Sequence, residues 1–248
     1  MNTAEKEIME IFGHLKALIT SDLEIGIVPP PVSKEAIRYL DAVQEETAIP
    51  SCKDGDIKSL DSLESLRAHI GDCRKCKLCK VKKRLVFGEG DEKARIVFVG
   101  EAPGRDEDLT GRPFVGKAGK LLTKIIQNGM GLTREMVYIC NVVKCHPPEN
   151  RDPEKDETDA CLPFLKQQLK IINPEVIFVL GRVAAQSLLG KKFMISRERG
   201  KWRTYMGIPL MPTYHPAYLL RNPSAKRQVW DDVKKVMVRL GLEVKKNV

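Results

Sequence analysis

The pattern of apolar positions divides the chain into a short N-terminal segment and a larger body. The first segment carries apolar side chains at helical spacing, which predicts an amphipathic helix. They are Ile8, Ile11, Phe12, Leu15, Leu18 and Ile19. Residues 42–59 are acidic and poor in large apolar side chains, so we interpret them as a linker. We therefore expect a helical extension and acidic linker over residues 1–60, followed by one domain over residues 61–248.

The larger body opens with a helix and continues as an alternation of strand-length apolar runs and helical patterns. The helix is indicated by Leu60, Leu63, Leu66 and Ile70, with Asp61 or Ser62 as candidate caps. The strand-length runs are Ile96–Val99, Val137–Ile139, Val176–Leu180 and Leu210–Tyr214. Such alternation is the signature of a parallel sheet covered by helices on both faces. We expect an α/β fold with a central parallel, or mostly parallel, sheet of about four strands flanked by helices.

The length of the chain and its apolar runs limit the class of protein. The 248 residues, 42% of them apolar, are enough for one α/β domain with an appendage, but few for two full domains. No apolar run approaches the roughly 20 residues that a membrane span needs. The N-terminus begins without the basic-then-apolar pattern of an export signal. We expect a cytoplasmic protein that acts as a monomer and has no membrane partner.

Positive charge is concentrated in the larger body. The whole chain has a formal net charge of +9, and residues 1–60 hold six Lys or Arg against eleven Asp or Glu, a net charge of −5. Residues 61–248 therefore carry a net charge of +14. A body of this charge favours a polyanionic partner, because neutralising phosphates releases counterions. A basic surface that serves only solubility stays open as the alternative.

Seven cysteines in a chain without an export signal favour metal or cluster ligation over disulfides, because the cytosol keeps thiols reduced. Cys73 and Cys76 are separated by two residues, and Cys145 and Cys161 follow after a long gap. This spacing suits a zinc ion or a 4Fe-4S cluster and does not choose between them. We interpret the three remaining thiols as structural, and they are Cys52, Cys79 and Cys140.

Polar segments directly follow three of the predicted strands. They are Gly100–Gly104, Asn141 after Cys140, and His215–Pro216. The carboxyl ends of parallel strands meet at one edge of an open sheet, so these segments should converge on one pocket. Taken singly, each segment has an ordinary alternative as a turn, a satisfied loop amide or a structural histidine. The coincidence of three favours a site.

The side chains near these strand ends suit a pyrimidine. The Asn141 amide both accepts and donates, which matches the N3–H and O4 edge of uracil or thymine, whereas cytosine presents the opposite pattern. His215 can donate to a carbonyl oxygen that gains negative charge as a bond breaks. Phe114 offers a flat face for stacking, with core packing as its alternative. The loop 216–223 combines apolar residues with Arg221, so it either wedges into a duplex or packs on the core.

Four motifs occur in order between about Cys73 and Leu240. They are Gly100–Gly104 with Glu107 and Asp108, Thr110–Gly116, Asn141–Arg151, and His215–Arg221. Together they resemble the family 4 uracil-DNA glycosylases, the iron-sulfur-containing kind, and residues 1–60 lie outside this resemblance. The resemblance implies an enzyme that flips uracil out of DNA, hydrolyses its N-glycosidic bond and leaves an abasic site for base excision repair.

The resemblance also implies roles for individual residues. The family's ligand positions for a 4Fe-4S cluster are occupied by Cys73, Cys76, Cys145 and Cys161. Its uracil pocket is lined by Gly100, Glu101, Ala102, Phe114, Asn141 and His215. Its DNA-intercalating loop contains Leu219, Leu220 and Arg221. The expected partner is therefore uracil-containing DNA, double- or single-stranded.

The water-activating residue is the least determined role. Better-known branches of the superfamily carry Asp or Asn in the first motif where this chain has Ala102. Glu101 and Glu107 are the carboxylates nearby. We favour Glu101 because it follows the strand directly, while Glu107 shapes the pocket wall. The expected catalytic residues are thus Glu101, together with Asn141 and His215 as stabilisers of the uracil anion.

Two other classes of protein compete with this interpretation. An electron carrier built around a cluster does not account for polar residues at three strand ends. A DNA-binding module stabilised by a structural zinc ion does not account for the three residues Phe114, Asn141 and His215. The N-terminal helix is either a stabilising tether or, as the sharper hypothesis, a docking helix for a protein partner.

Overall fold

The computed structural model describes residues 57–244 of the chain. Its strands are β1 (Glu89–Gly90), β2 (Ile96–Gly100), β3 (Tyr138–Asn141), β4 (Val176–Leu180), β5 (Arg203–Tyr205) and β6 (Ile208–Thr213). Its α-helices are α1 (Leu63–Ile70), α2 (Arg105–Thr110), α3 (Lys117–Lys124), α4 (Lys155–Ile172), α5 (Arg182–Leu189), α6 (Ile195–Glu198), α7 (Pro216–Arg221) and α8 (Lys226–Arg239). Among these described helices, none combines the length and the apolar character needed to cross a membrane.

The described residues begin close to the predicted domain boundary. The helix predicted over residues 8–19 lies outside them, as does all but the last three residues of the predicted linker. The boundary at residue 60 therefore stays a prediction.

The six strands form one mixed sheet in the order β1-β3-β2-β4-β6-β5. The four inner strands β3, β2, β4 and β6 run parallel to one another. The short strands β1 and β5 pair antiparallel to β3 and β6 and form the two edges. The predicted α/β fold with a mostly parallel sheet is confirmed, and all four predicted strands belong to its parallel part.

Alternate side chains of the central strands enter two separate hydrophobic layers. Val97 and Val99 of β2 pack on one face with residues of α1, α4 and α5. Ile96 and Phe98 pack on the other face with residues of α3 and α8. On that second face the rings of Phe98 and Phe178 meet edge to face, with 5.6 Å between their centroids. Burial on both faces explains why these strands are continuous apolar runs in the sequence.

The helix predicted after the linker is α1, and it starts at one of the predicted caps. The Ser62 hydroxyl accepts a hydrogen bond from the backbone N–H of Ser65 at 3.1 Å, and the Ser62 N–H donates to the Ser65 hydroxyl. Gly71 ends the helix with a φ of 48°. The chain then turns into the segment that holds the first cysteines, so α1 sets where that segment leaves the core.

Two features of the fold differ from the sequence-based expectation. Strands β1 and β5 are not predicted, because two and three residues are too short for a readable alternation. The segment after His215, expected to be a loop, is helix α7. Pro216 occupies the first turn, where its missing N–H costs no hydrogen bond, and His215 is the N-cap.

Candidate active site

The carboxyl ends of the four parallel strands surround one cavity of about 780 Å³. Glu101 follows β2, Asn141 ends β3, and His215 lies two residues after β6. The polar segments at the three predicted strand ends therefore converge on one pocket, as a parallel sheet requires. The fourth strand end contributes Gly181 and Arg182 to the same cavity.

Gly100 allows two sides of the cavity to meet. A Cβ atom at this position would lie 2.4 Å from Oδ1 of Asn141 and 2.5 Å from Cζ of Phe114. Both separations are far below van der Waals contact, so a larger residue would push away the amide or the ring. Glycine is required here for close approach of side chains rather than for a left-handed backbone.

The Asn141 side chain is buried at the end of β3, and its Oδ1 atom has no hydrogen-bond partner among the described residues. An unpaired buried acceptor costs about 1–3 kcal/mol, so it suits a ligand that donates to it. The N3–H of uracil or thymine is such a donor. The N3 atom of cytosine is an acceptor and would leave the oxygen unpaired.

Phe114 has a backbone conformation that few side chains adopt, with a φ of 52°. The Arg134 guanidinium donates to the carbonyl oxygens of Pro113 and Phe114 at 2.8 and 3.2 Å. Gly119 lets α3 pass beside this turn, since a Cβ there would lie 1.9 Å from the Phe114 oxygen. The ring is buried near His215, with 5.6 Å between ring centroids. The surrounding contacts thus hold a strained turn that places a flat ring beside the imidazole.

The backbone determines which nitrogen of His215 carries a hydrogen. The N–H of Ala217 donates to Nδ1 at 3.1 Å, so Nδ1 is the acceptor and Nε2 is the donor. Burial, together with the nearby Arg221, lowers the pKa of His215 to about 4. The imidazole is therefore neutral near pH 7 and presents a single N–H donor. Such a donor in a buried site can stabilise a developing oxyanion.

Glu101 is a cavity carboxyl with a raised pKa. Burial and the nearby Asp152 carboxylate raise the pKa of Glu101 to about 7, against the opposing effect of Arg182. Arg182 and Asp152 form an ion pair, and both line the cavity. A carboxyl with a pKa near the working pH can take up and release a proton, as a general base must.

The second carboxylate of the first motif, Glu107, is committed to the backbone. It is buried and accepts hydrogen bonds from the N–H groups of Gly104, Val115 and Gly116 at 3.1, 2.9 and 3.0 Å. These bonds join the start of α2 to the segment before α3. Glu107 therefore forms part of the cavity wall. Its oxygens already accept three backbone hydrogen bonds, which is why Glu101 stays the preferred base.

The three residues expected in the intercalating loop have different surroundings. Leu219 is 1% exposed and packs in a hydrophobic layer, whereas Leu220 is 47% exposed. Arg221 is exposed as well. Tyr218 is exposed beside them, with its ring centroid 4.7 Å from that of Tyr214. Membership of the three residues in an intercalating loop stays a prediction; within that segment Leu219 anchors α7 to the core, and the exposed apolar surface is formed by Tyr218 and Leu220.

Three chain segments bring four cysteines together. Cys73 and Cys76 follow α1, Cys145 follows β3, and Cys161 lies in α4. Burial and the thiol of Cys161 raise the pKa of Cys145, against the effect of Lys82, and Cys73 and Cys76 raise it further. Burial, with smaller effects of Cys76 and Cys73, raises the pKa of Cys161 to about 11. The four thiols are therefore close enough for their charges to affect one another.

The chemistry of this donor set fits a centre that takes four thiolates. Burial opposes deprotonation of these thiols, so a positive centre is needed to hold them as thiolates. Within residues 57–244, no three His, Cys, Asp or Glu side chains are placed to hold a single metal ion. Of the other described cysteines, Cys79 is half-buried near Cys76, and Cys140 is buried in β3.

Sequence reasoning misses several residues of the cavity, among them Gly181, Arg182 and Asp152. Gly181 has a φ of 95°, and a Cβ there would lie 2.9 Å from the Cβ of His215, so glycine lets the histidine lie against the end of β4. Arg182 and Asp152 form the ion pair near Glu101. The signal for Gly181 and Arg182 is their place directly after a predicted strand. Asp152 lies just beyond the third motif and carries no such signal.

The part of the chain that builds the cavity matches a known family. Residues 87–234 match the model of the uracil DNA glycosylase superfamily. The match covers more than half of the chain and includes all four parallel strands and their carboxyl ends. It defines the class of protein to which the fold and the cavity belong.

Curated relatives extend this similarity. The type-4 uracil-DNA glycosylase of Saccharolobus solfataricus is 48% identical over 190 residues, which are 73% of this chain and 88% of the relative. The type-4 uracil-DNA glycosylase of Archaeoglobus fulgidus is 49% identical over 185 residues, 71% of this chain and 92% of the relative. That of Thermotoga maritima is 48% identical over 177 residues, 70% and 92% of the two chains. The chain belongs to the uracil-DNA glycosylase superfamily and, within it, to the type-4 uracil-DNA glycosylases.

Proposed function

We propose that this protein turns a uracil nucleotide out of DNA into the cavity and hydrolyses its N-glycosidic bond, which releases uracil and leaves an abasic site. The enzyme class, a uracil-DNA glycosylase of DNA repair, follows from family membership. The roles of individual residues are our assignment. The observation that carries them is the unpaired Oδ1 of Asn141 in a cavity that also holds Phe114 and the neutral donor of His215.

Asn141 is the residue that recognises the base, and we call it the base reader. Its Oδ1 accepts the N3–H of uracil and its Nδ2 donates to O4, so the buried acceptor gains a partner. Phe114 stacks on the ring, Ala102 contributes to the wall, and Gly100 leaves room for both the amide and the phenyl group. Cytosine is rejected because its N3 would face Oδ1, leaving buried acceptors unpaired at about 1–3 kcal/mol each.

Two side chains act on the bond that breaks. The Nε2–H of His215 donates to O2 of the pyrimidine, which gains negative charge as the electron pair of the glycosidic bond moves onto the base. The oxygen of a water molecule bonds to C1′ of the sugar, and Glu101 accepts the proton that this water gives up. The departing anion takes up a proton from solvent at N1, so the products are uracil and an abasic sugar whose C1′ hydroxyl carries the water oxygen, while the proton on Glu101 returns to solvent.

The exposed face of α7 contacts DNA. Tyr218 and Leu220 face solvent, and Tyr218 and Arg221 line the cavity. Apolar side chains at such a position can fill the space that the flipped nucleotide leaves, while Arg221 holds a phosphate. Leu219 supports this surface from below. We expect the protein to act as a monomer, with residues 1–60 as the place where a protein partner would dock.

Cys73, Cys76, Cys145 and Cys161 would hold a 4Fe-4S cluster. Such a cluster takes one thiolate at each of four irons, so its ligands need not converge on one ion. When bound, the cluster would cross-link three segments of the chain and provide a redox-capable centre. The cysteines would thereby tie α4 to the end of β3, where the base reader lies.

Release of free uracil from an oligonucleotide tests the proposal. We expect release from strands with one uracil, paired or single-stranded, and none from the same strands with cytosine. An iron-loaded preparation that binds these strands but releases no uracil would refute the proposed reaction. The protein would then be a DNA-binding module rather than an enzyme. A visible absorption band that bleaches on reduction would separate an iron-sulfur centre from zinc.

A further inference from the structure

Lys144 is a buried lysine directly behind the proposed base reader. Its side chain is 1% exposed. The Nζ atom donates to the backbone carbonyl of Asn141 at 2.8 Å and to Oε1 of Gln168 at 2.6 Å. Lysine is rarely buried to this degree, because an amino group without water must find its partners in the protein. The position therefore has a use that an apolar side chain would not serve.

The partners of this amino group are themselves held in place. Gln168 lies in α4, and its amide nitrogen donates to the carbonyl of Phe87 at 2.9 Å and to the hydroxyl of Tyr138 at 3.1 Å. The carbonyl of Asn141 belongs to the last residue of β3. The Lys144 side chain therefore connects the backbone of Asn141 to helix α4.

The backbone of Lys144 contacts the thiols. Its N–H lowers the pKa of the Cys161 thiol against the effect of burial, and Cys145 is the next residue. The ionisable groups that face the amino group are the thiols of Cys140, Cys161 and Cys145. Within residues 57–244, Lys144 forms no ion pair with a carboxylate, and its side-chain acceptors are the two neutral oxygens of Asn141 and Gln168. One residue thus touches a proposed cluster ligand with its backbone and the proposed reader with its side chain.

We propose that Lys144 is a positioning residue for uracil selection, which couples the place of the cysteine-bound cluster to the orientation of the Asn141 amide. The inference rests on the proposed function, because it takes Asn141 as the reader and Cys145 and Cys161 as cluster ligands. Gly100 leaves only a narrow space for that amide. A small rotation of the Asn141 peptide would therefore turn Oδ1 away from the base, and the contact from Lys144 prevents it.

Lys82 offers a matched comparison. It is a second lysine whose side chain is 6% exposed beside the thiols. Its Nζ donates to the carbonyl of Cys73 at 2.9 Å and pairs with Asp72 at 2.7 Å, so these bonds stay within the first cysteine segment. If Lys144 only supported the cluster, replacing Lys144 or Lys82 would have the same effect on base selection. Uracil selection would depend on Lys144 and not on Lys82.

Equilibrium binding to DNA that resists cleavage separates these roles. Strands with one 2′-fluoro-2′-deoxyuridine or one 2′-fluoro-2′-deoxycytidine are titrated into the full-length, iron-loaded protein. Lys144→Met keeps an unbranched side chain as far as Cε but removes the amino group and its donors. We expect it to reduce the uracil-over-cytosine affinity ratio by about 10-fold or more, the scale on which loss of an orienting partner acts, with iron content near wild type. Lys82→Met should keep the wild-type ratio.

Lys144→Gln keeps an N–H donor on a side chain one bond shorter and should recover part of the ratio. An unchanged ratio in Lys144→Met would overturn the inference, and so would an equal loss in Lys82→Met. Loss of iron or folding in both Lys144 variants would also overturn it, because Lys144 would then serve the core alone. A wild-type protein without preference for uracil would instead refute the assignment of Asn141 as the reader.

Discussion

The backbone N–H of Ala217 donates to Nδ1 of His215, and this bond leaves Nε2 as the nitrogen that carries the hydrogen. Ala217 lies in the first turn of α7, and His215 is the residue that caps this helix. The start of the helix therefore determines the state of the imidazole. With a pKa lowered to about 4 by burial and by Arg221, the ring is neutral near pH 7.

Removal of the imidazole should slow cleavage strongly and spare the fold. His215→Ala should lower the single-turnover rate by about 100- to 1000-fold, the usual effect of deleting one oxyanion donor. Quenched reactions with enzyme in excess over labelled DNA measure this rate. Iron content, thermal melting and DNA affinity are the controls and should stay near wild type. A loss of rate that only follows the loss of folded protein would make His215 structural.

The cleavage rate should rise with pH through about pH 7. Glu101 must be ionised to accept a proton from water, and burial raises its pKa to about 7, so the active fraction grows as pH increases. His215, with its lowered pKa, should add no inflection near pH 6.5. Single-turnover rates across this range give the profile. Glu101→Gln should cleave slowly, and its pH profile should lack the inflection near pH 7. An inflection that persists in this variant would belong to another titrating group.

Iron content should separate the cluster ligands from the neighbouring thiol. Alanine at Cys73, Cys76, Cys145 or Cys161 should each lose the iron, because a closed four-thiolate site has no ligand to spare. Cys79→Ala is the matched control, since Cys79 lies near Cys76, and it should keep the iron. Iron per chain and visible absorption report the result. Iron kept in Cys161→Ala and lost in Cys79→Ala would reassign the ligands.

The amide of Asn141 should determine which pyrimidine is accepted. Asn141→Asp should cleave uracil more slowly and reject cytosine less strictly, because a protonated carboxyl can donate where Oδ1 accepts. Cleavage of matched strands that contain uracil or cytosine measures the ratio of the two rates. Full uracil activity in this variant would show that Asn141 does not read the base.

Gly100→Ala should damage the base site more than the fold. Its Cβ would lie 2.4 Å from Oδ1 of Asn141 and 2.5 Å from the ring of Phe114, so one of them must move. Misplacement on this scale costs about 100-fold in rate. Gly131→Ala is a control outside the cavity: a Cβ there would meet nothing within 4 Å, and the φ of 69° strains an alanine, so this variant reports the effect of backbone strain alone. Equal rates in both variants, each corrected for folded protein, would remove Gly100 from the site.

Features that follow from periodicity could be predicted from the sequence. Val176–Leu180 is predicted as a strand with the bounds of β4, because a strand buried on both faces is an unbroken apolar run. Asn141 and His215 could be assigned to one pocket because parallel strands place their carboxyl ends at one edge of the sheet. The predicted function, excision of uracil from DNA, is confirmed by the family and its relatives.

Features that depend on packing could not be predicted. Leu219 and Leu220 are alike in the sequence, and only the docking of α7 buries one and exposes the other. The close approach at Gly100 is a contact among three segments that no spacing reveals. Lys144 is one basic residue among many until its amino group is found behind Asn141. Such features arise from tertiary contacts rather than from local preference.

The two shortest strands have a consequence for aggregation. Strands β1 and β5 close the sheet on its two sides with two and three residues. A long exposed edge would offer a row of unpaired N–H and C=O groups on which another extended chain could add. Here Glu89 of β1 pairs with Arg112 and Arg134, and Arg203 of β5 pairs with Glu198. Short, charged borders of this kind keep the parallel strands that build the cavity from polymerising with those of a second molecule.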